Sequence, residues 1–405
     1  MTARPRDLSS LKTVPRRCYN RLPSPLKTVL RWWFHRFLVP LRRCFNRLLG
    51  PPYVALRWRS NVKGRRDLLR KGVHEATRLI VFLVPRKEII SGGILSIFNL
   101  YRFSREMEAI HGASVVMCYY PCEAGTASRY VMFENDITIY PFEMVIAACR
   151  SASEVLVQVP EFALERILDR VGWEGLRRLR SQRKFKVNIM NQNMLLMPHP
   201  GIVAKLRQVI PDLTCTAAFP SFVTPEQRRY WNVPVHFVPA WIRPDEGSST
   251  PYETKRDLMI VSPDLRPERE AVLEFVGKAF PSMEIQVIRN IPFEEYLELE
   301  RSAKWSLTFG EGLDGYFGGV ILRGGVGFAV FNETFFTEEY RGLQTVYPDY
   351  PTLLRRIAED IRALDNKESM AAYSGKVRAL FAEKWGPQKT RAALAAFYRG
   401  EYTLP

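Results

Sequence analysis

Between residues 77 and 331 short apolar runs alternate with helical stretches, and the alternation runs twice with a polar break between. Residues 77–84 (TRLIVFLV) read as a strand buried on both faces, followed by a loop ending in Ser91-Gly92-Gly93 and a helix over 94–111. Further strands are expected at 114–120, 154–159 and 184–190, shorter ones at 215–219 and 235–238, and a helix at 162–171. Residues 243–256 (RPDEGSSTPYETKR) are polar and rich in Pro, Gly and Ser, as a linker should be. The pattern then restarts with strand 257–261, helix 268–279, strand 284–288 and helix 293–302, and from 350 onward the chain reads as helical. Continuous apolar strands spaced by helices specify parallel sheets covered on both faces. The 405 residues exceed what one hydrophobic core usually serves. The expected fold is therefore α/β: two Rossmann-like domains facing a cleft, at 72–242 and 257–405, joined by the linker 243–256 and preceded by a separate N-terminal segment, 1–71.

The segment 303–332 (AKWSLTFGEGLDGYFGGVILRGGVGFAVFN) carries the strongest functional signal. It reads as a buried strand over 305–309, a glycine-broken turn with one acid, Glu311, a short apolar helix, and a second strand over 327–331. Such strand-turn-helix units bind phosphorylated ligands, because backbone amides and the helix dipole favour anions. Gly310, Gly312 and Gly315 would let a ligand approach the backbone. Gly310-x-Gly312-x-x-Gly315, with Glu333 beyond the next strand, also satisfies the dinucleotide fingerprint. In a dinucleotide domain that turn follows the first strand, whereas here two strand-helix units precede it. A nucleotide-sugar site late in the second of two domains is the competing reading.

The N-terminal segment has a different character. Residues 1–71 hold 19 of the 59 Lys and Arg but only Asp7 and Asp67 of the 42 acids, so the whole net charge of +17 belongs there. The remainder is balanced, and the high isoelectric point says nothing about the main body. Residues 16–32 recur at 42–58 with a period of 26, identical at ten of seventeen aligned positions. Leu26, Val29, Leu30, Trp33 and Phe37 share one helical face, with Lys27, Arg31 and His35 on another. Prolines punctuate the arm. A string of short basic amphipathic helices with tryptophan suits the interface of an anionic membrane, where each Lys or Arg contributes about 1 kcal/mol. Docking on the chain's own domain or a partner protein, or service as an organellar transit peptide, are alternatives. No nucleic-acid recognition module accompanies the basic residues, so a nucleic-acid partner is not expected.

Six cysteines scattered through a chain without a signal peptide do not suggest a disulfide framework, and a reducing compartment fits best. Cys18 and Cys44 occupy equivalent repeat positions, where acylation or burial could apply. Cys118-x-x-x-Cys122 has no matching ligand pair among five histidines, so no metal site is expected. No apolar run approaches the ~20 residues that span a bilayer. Trp231, Trp241 and Trp305 read as core, His199 as a turn residue, and His111 and His74 as structural or exposed.

From residue 77 to the C-terminus the order of segments resembles the GT-B glycosyltransferases, in particular the retaining, nucleotide-sugar-dependent family-4 type. Ser91-Gly92-Gly93 matches the glycine loop that faces the donor diphosphate in that family. Ser262-Pro263-Asp264-Leu265-Arg266-Pro267-Glu268-Arg269 falls where the family has a basic pair, which implies diphosphate contacts for Arg266 and Arg269. Phe309-Gly310-Glu311-Gly312 matches the acid-glycine turn whose glutamate approaches the donor sugar, and Gly324-Gly325-Val326 resembles the small-residue turn that follows. The chain departs from the pattern at Gly319, where the family carries a second glutamate. The family's first-domain histidine is not evident, and Asn191-Gln192-Asn193 stands at the corresponding strand end.

A nucleotide-diphosphate leaving group needs cationic or dipolar stabilisation. No paired-aspartate motif suggests a metal, so Arg266, Arg269 and the Gly92-Gly93 amides are the expected source. Glu311 is the catalytic candidate, since an acid inside a Gly-x-Gly turn has no evident packing task, and Asp314, Gly315 and Tyr316 are expected beside it. The resulting expectation is a metal-independent glycosyltransferase at the cytoplasmic membrane surface, peripheral, moving a sugar from a nucleotide-sugar to a lipid-linked or polysaccharide acceptor, with no bound cofactor. A GT-B-like protein that has lost catalysis and serves as a binding or scaffold subunit, or an NAD(P)-dependent enzyme using the same turn, are the alternatives.

Overall fold

The computed structural model describes residues 62–123, 125–133, 135–240 and 248–405. The arm up to residue 61, with its repeat and with Cys18 and Cys44, therefore lies outside the described residues, as do Trp241 and the first part of the linker.

Two parallel sheets form the body. The first contains β1 (Arg78–Val84), β2 (Ser114–Tyr119), β3 (Ile139–Tyr140), β4 (Glu154–Pro160), β5 (Lys184–Asn191), β6 (Leu213–Ala217) and β7 (Val235–Phe237), in the order β3-β2-β1-β4-β5-β6-β7. The second contains β8 (Arg256–Val261), β9 (Glu284–Val287), β10 (Ala303–Leu307), β11 (Val326–Val330) and β12 (Val346–Tyr347), in the order β12-β11-β10-β8-β9. After Arg78 every residue of β1 is buried, as is expected of a central strand with helices on both faces.

Strand order reverses at β1/β4 in the first sheet and at β8/β10 in the second. The loops leaving the carboxyl ends of two neighbouring strands there depart to opposite faces and open a crevice, the usual ligand position of an open α/β sheet.

Local boundaries differ from the sequence expectation for identifiable reasons. The helix expected over 94–111 begins at Gly92 and ends at Glu106, because Met107 leaves helical geometry before a short turn, Glu108–His111. The helix expected over 162–171 continues to Gln182 through a kink at Gly172 (φ 69°). The strand expected over 305–309 is Ala303–Leu307, since the Phe309 amide turns away to Ser262 Oγ at 2.9 Å.

The C-terminal helices cross between the sheets. Helix Lys367–Trp385 packs on helix Gly315–Leu322 beside the second sheet. Helix Pro387–Arg399 returns to the first: Thr390 Oγ1 donates to the Pro239 carbonyl at 3.1 Å, His236 Nε2 to the Ala393 carbonyl at 2.8 Å, and Leu404 bridges Val235. Leu394 and Phe397 belong to the same buried cluster as Phe82, Phe98 and Phe103. At the other end, helix Val62–Arg70 lies in the compact unit of residues 61–405, with Asp67 accepting a hydrogen bond from the Tyr140 hydroxyl and pairing with Lys71 at 3.0 Å.

Candidate functional site

The loop after β10 is fixed from three sides. Ser262 Oγ, beyond the end of β8, takes the Phe309 amide, Arg266 Nε donates to the Phe309 carbonyl at 3.1 Å, and the Phe309 ring stacks on Tyr350 at 6.0 Å and 9°. Thr308 Oγ1 accepts from the Gly310 amide at 3.1 Å and donates to Asp314. Asp314 in turn caps helix Gly315–Leu322, with Oδ1 accepting from the Phe317 amide at 2.9 Å. The side-chain oxygens of Thr308 and Asp314 thus shape the turn, while the Glu311 carboxyl bonds outside it.

The glycines of the turn have separate reasons. A Cβ at Gly310 would stand 2.7 Å from Asp264 Oδ2, so the crowding there comes from carboxylates. Gly312 has φ 90°, and a Cβ there would meet the Phe336 ring at 2.5 Å and the Val330 carbonyl at 3.0 Å. Gly312 is required by the turn and by packing. Two of the three fingerprint glycines, after β10, the third strand of its sheet, thus have local reasons.

From the first sheet, three strand ends meet this turn. After β1, Ser91 caps helix Gly92–Glu106 by accepting from the Ile94 amide at 3.3 Å, which leaves the Gly92 and Gly93 amides in the first turn, where no intrahelical partner exists. After β4 comes Glu161, and after β5 come Gln192 and Asn193. Asn193 Nδ2 donates to Glu311 Oε1 at 2.8 Å, its backbone amide donates to Glu161 Oε1 at 3.1 Å, and its Oδ1 accepts from the Leu195 amide at 3.0 Å. One asparagine thus links an acid beside each sheet.

Around this bridge lies a cavity of about 240 Å³ between the two switch points. Gly92, Gly93, Glu311, Asp314 and Gly315 line it, together with Glu161, Gln192 and Asn193, and Phe219, Phe381 and Trp385 supply aromatic wall. Burial pushes the Glu311 carboxyl up to about 7, with Asp314 and Asp264 adding to the rise and Asn193 opposing it. Burial likewise raises Glu161 to about 7 and Asp314 to about 6, against the hydrogen bonds each accepts. At neutral pH this acid cluster is partly protonated.

The remaining sequence candidates stand around the cavity. Arg266 is exposed and holds the turn by its bond to Phe309; Arg269 is buried, with Nη1 reaching the Asp264 carbonyl at 3.5 Å. Neither arginine lines the cavity, nor do Gly310, Gly312 and Tyr316. Tyr316 packs edge-on against Tyr296 at 5.4 Å, and the Tyr296 hydroxyl donates to the Gly315 carbonyl at 3.1 Å. His199 caps helix Pro200–Val209, and His111 is buried on the Ser104 carbonyl. Sequence reasoning did not single out Glu161; the signal was an acid directly after an apolar strand, Val159-Pro160-Glu161. Gly319, at the position of the family's second glutamate, does line the cavity.

A larger opening, about 400 Å³, lies at the amino ends of β1, β4 and β5. Within it Glu154 pairs with Lys186 at 2.6 Å and with Arg78 at 3.3 Å, and it is remote from both switch points.

No protein-family model matches the sequence, and no curated protein matches it. Among solved structures, Anabaena Alr3699/HepE in complex with UDP and glucose aligns with a TM-score of 0.50 at 7% identity, covering 80% of this chain and 99% of that chain. The same protein in complex with UDP-glucose aligns with a TM-score of 0.50 at 6% identity over 80% and 99%. The trehalose-6-phosphate synthase OtsA gives 0.49 at 9% identity over 80% and 99%. At such identities the likeness is one of fold, and the fold of this chain is GT-B-like: two parallel Rossmann-like sheets of seven and five strands.

Proposed function

We propose that the chain is a nucleotide-sugar-dependent glycosyltransferase whose donor occupies the cavity between the two switch points. The observation that carries this reading is the Asn193–Glu311 bond, which sets an acid from the second domain against the strand ends of the first inside one cavity. The HepE structures, which align over most of both chains, hold UDP with glucose and UDP-glucose, and this supports a nucleotide-sugar as donor.

In this reading Glu311 meets the hydroxyls of the donor sugar. With its carboxyl raised to about 7 it can accept from one hydroxyl and, when protonated, donate to another. The Gly92 and Gly93 amides at the start of their helix face the diphosphate, and Arg266 and Arg269 add positive charge behind the turn, so that charge on the leaving group is met without a metal ion. The acceptor, a glycan or lipid-linked sugar, enters from the first domain. The basic arm of residues 1–71 holds the protein peripherally at the cytoplasmic face of an anionic membrane, where such an acceptor resides. The family-4, retaining assignment rests on the resemblance of the motifs at 91–93, 262–269 and 309–312.

One observation favours a second reading, a GT-B-like binding or scaffold protein without turnover. Gly319 borders the cavity where the family has a donor-binding glutamate, and among the described residues no arginine or lysine lines the cavity. Thermal shifts of the full-length protein against UDP-, GDP-, dTDP- and CMP-sugars, with NAD and NADP as rivals, separate the readings. Stabilisation by one sugar nucleotide, lost in Glu311→Gln, together with turnover that the same substitution abolishes, is the expected result. Stabilisation without turnover selects the scaffold, and a shift with NAD(P) alone overturns both.

A further inference from the structure

The amino edge of the first sheet, opposite the edge that meets the donor cavity, carries two adjoining hollows of about 400 and about 480 Å³ that share Lys184, Pro211 and Asp212. The first crosses the starts of β1, β4, β5 and β6, with Phe397, Tyr398 and Tyr402 of the C-terminal segment as a wall. The second continues it over the end of helix Leu164–Gln182. Neighbouring strands lie about 4.8 Å apart, so four strand starts span about 15 Å, room for a short stretch of extended chain. The groove is cationic by construction. Arg180 donates to the Val209 carbonyl at 3.1 Å, Arg183 to the Cys149 carbonyl at 3.4 Å, and Arg207 to the Asn232 carbonyl. Carbonyl partners fix a guanidinium and leave its charge unmet, and among the described residues none of these three pairs with a carboxylate. The Lys184 ammonium, also exposed, has no hydrogen bond or ion pair among the described residues. Seven cations and two acids, Glu154 and Asp212, border the two hollows; with Arg399 met by Glu401, an excess of four positive charges remains. A concave surface of one sign focuses its field on an anionic ligand.

We propose that this groove binds an acidic glycan, an extended saccharide chain whose anionic groups pair with Lys184, Arg183 and Arg207. The two acids favour a sugar chain over other polyanions: ionised carboxylates only accept, and a saccharide supplies hydroxyls at every residue for Asp212 and Glu154 to take. Tyr402, its ring packed on Phe397 at 5.9 Å and its hydroxyl without a partner among the described residues, adds an amphipathic wall. The choice of a glycan rests on the glycosyltransferase reading, whereas the charge of the groove does not. The groove stands a strand length, about 20 Å, from the donor cavity, so a chain held there is concentrated near the site without occupying it.

The basic arm also attracts polyanions, so the test on the full-length protein reads individual lysines: acetylation by an amine-reactive ester, followed by peptide mass spectrometry. The probes are tetragalacturonate, neutral maltotetraose and a thymidine pentanucleotide, which carries as many charges as tetragalacturonate. Tetragalacturonate should slow acetylation of Lys184 and Lys186 about fivefold, because paired ammonium groups are withdrawn from reaction. Lys278, exposed on helix Arg269–Ala279, serves as the internal reference and should be unaffected. Lys184→Glu should keep the wild-type melting temperature and raise the tetragalacturonate concentration that half-protects Lys186 about tenfold. Protection of Lys184 no greater than that of Lys278, or an unchanged midpoint in the variant, would overturn the proposal. Equal protection by maltotetraose would overturn the role of charge, and protection by the pentanucleotide at equal or lower concentration would overturn the glycan and assign the groove to nucleic acid. Should no sugar nucleotide stabilise the wild type, the donor reading fails by itself, and selective protection by tetragalacturonate would still uphold the groove.

Discussion

Asn193, just after β5 of the first sheet, donates a 2.8 Å hydrogen bond to Glu311, in the turn after β10 of the second. The bond opposes the burial that raises the Glu311 carboxyl, so its strength depends on the charge of that carboxyl. Asn193→Ala leaves Glu311 buried without this donor. The expected loss is about 1–3 kcal/mol of unfolding free energy at pH 8, where the acid is ionised, and distinctly less at pH 5.5, where it is protonated. Urea unfolding at the two pH values measures the difference, and equal losses at both would mean that the bond does not depend on the charge.

Three acids of the cavity have raised proton affinity, Glu161 and Glu311 to about 7 and Asp314 to about 6. The folded state therefore binds more protons than the unfolded chain between the ordinary carboxyl range and neutrality. Their contribution to stability is complete below pH about 4 and is lost as pH rises toward 7. The melting temperature should fall between pH 5 and 7.5, by an amount corresponding to on the order of 1–3 kcal/mol per independent group and less in sum for coupled ones. Glu311→Gln should flatten that slope and melt higher than wild type at pH 8. A variant with an unchanged slope would show that Glu311 ionises as an ordinary surface acid.

Much of this architecture is legible because its strands are continuous apolar runs: β1 buries six residues in succession, and no helical or alternating pattern competes with LIVFLV. The two-residue strands β3 and β12 and the short helices Phe142–Ala148, Pro200–Val209 and Pro225–Trp231 offer no such window, and their register is set by neighbours distant in sequence. The same division runs through the candidate site. Gly92, Gly93, Glu311, Asp314 and Gly315 border the cavity and belong to local turn motifs. Glu161 draws its significance from strand order, since only the reversal at β1/β4 brings the end of β4 beside the Gly92 helix. At Gly312 a Cβ would meet the Phe336 ring, a packing partner that no spacing rule could supply. The return of helix Pro387–Arg399 to the first sheet is equally non-local, because an amphipathic face declares that it is buried and leaves its partner unspecified.

The contact between helix Gly315–Leu322 and helix Lys367–Trp385 turns on Gly318. A Cβ at that position would stand 2.6 Å from Phe381 Cζ. Gly318→Ala gains helix propensity of nearly 1 kcal/mol but must displace an aromatic ring that also forms part of the cavity wall. A net destabilisation of about 1–3 kcal/mol is expected, the usual cost of overpacking. Phe381→Leu in the same chain should recover most of it, so the double-mutant cycle should show a coupling of at least about 1 kcal/mol. Simple additivity of the two substitutions would mean that the ring yields without strain.

Where the basic arm ends matters for any test of membrane attachment. Helix Val62–Arg70 packs with helix Phe142–Ala148, and Asp67, held well below the usual carboxylate range, at about 2, accepts from Tyr140 while pairing with Lys71 and Arg70. Deletion of residues 1–60 should leave the melting temperature within a degree or two of wild type, whereas deletion of 1–71 should lower it by several degrees through loss of these contacts. Both deletions should weaken sedimentation with liposomes containing anionic lipid, more strongly at low salt than at high, because the attraction is screened over a Debye length. Donor-induced thermal shifts should survive deletion of 1–60. Unchanged liposome sedimentation after that deletion would remove the arm from membrane attachment and leave docking on a protein as its role.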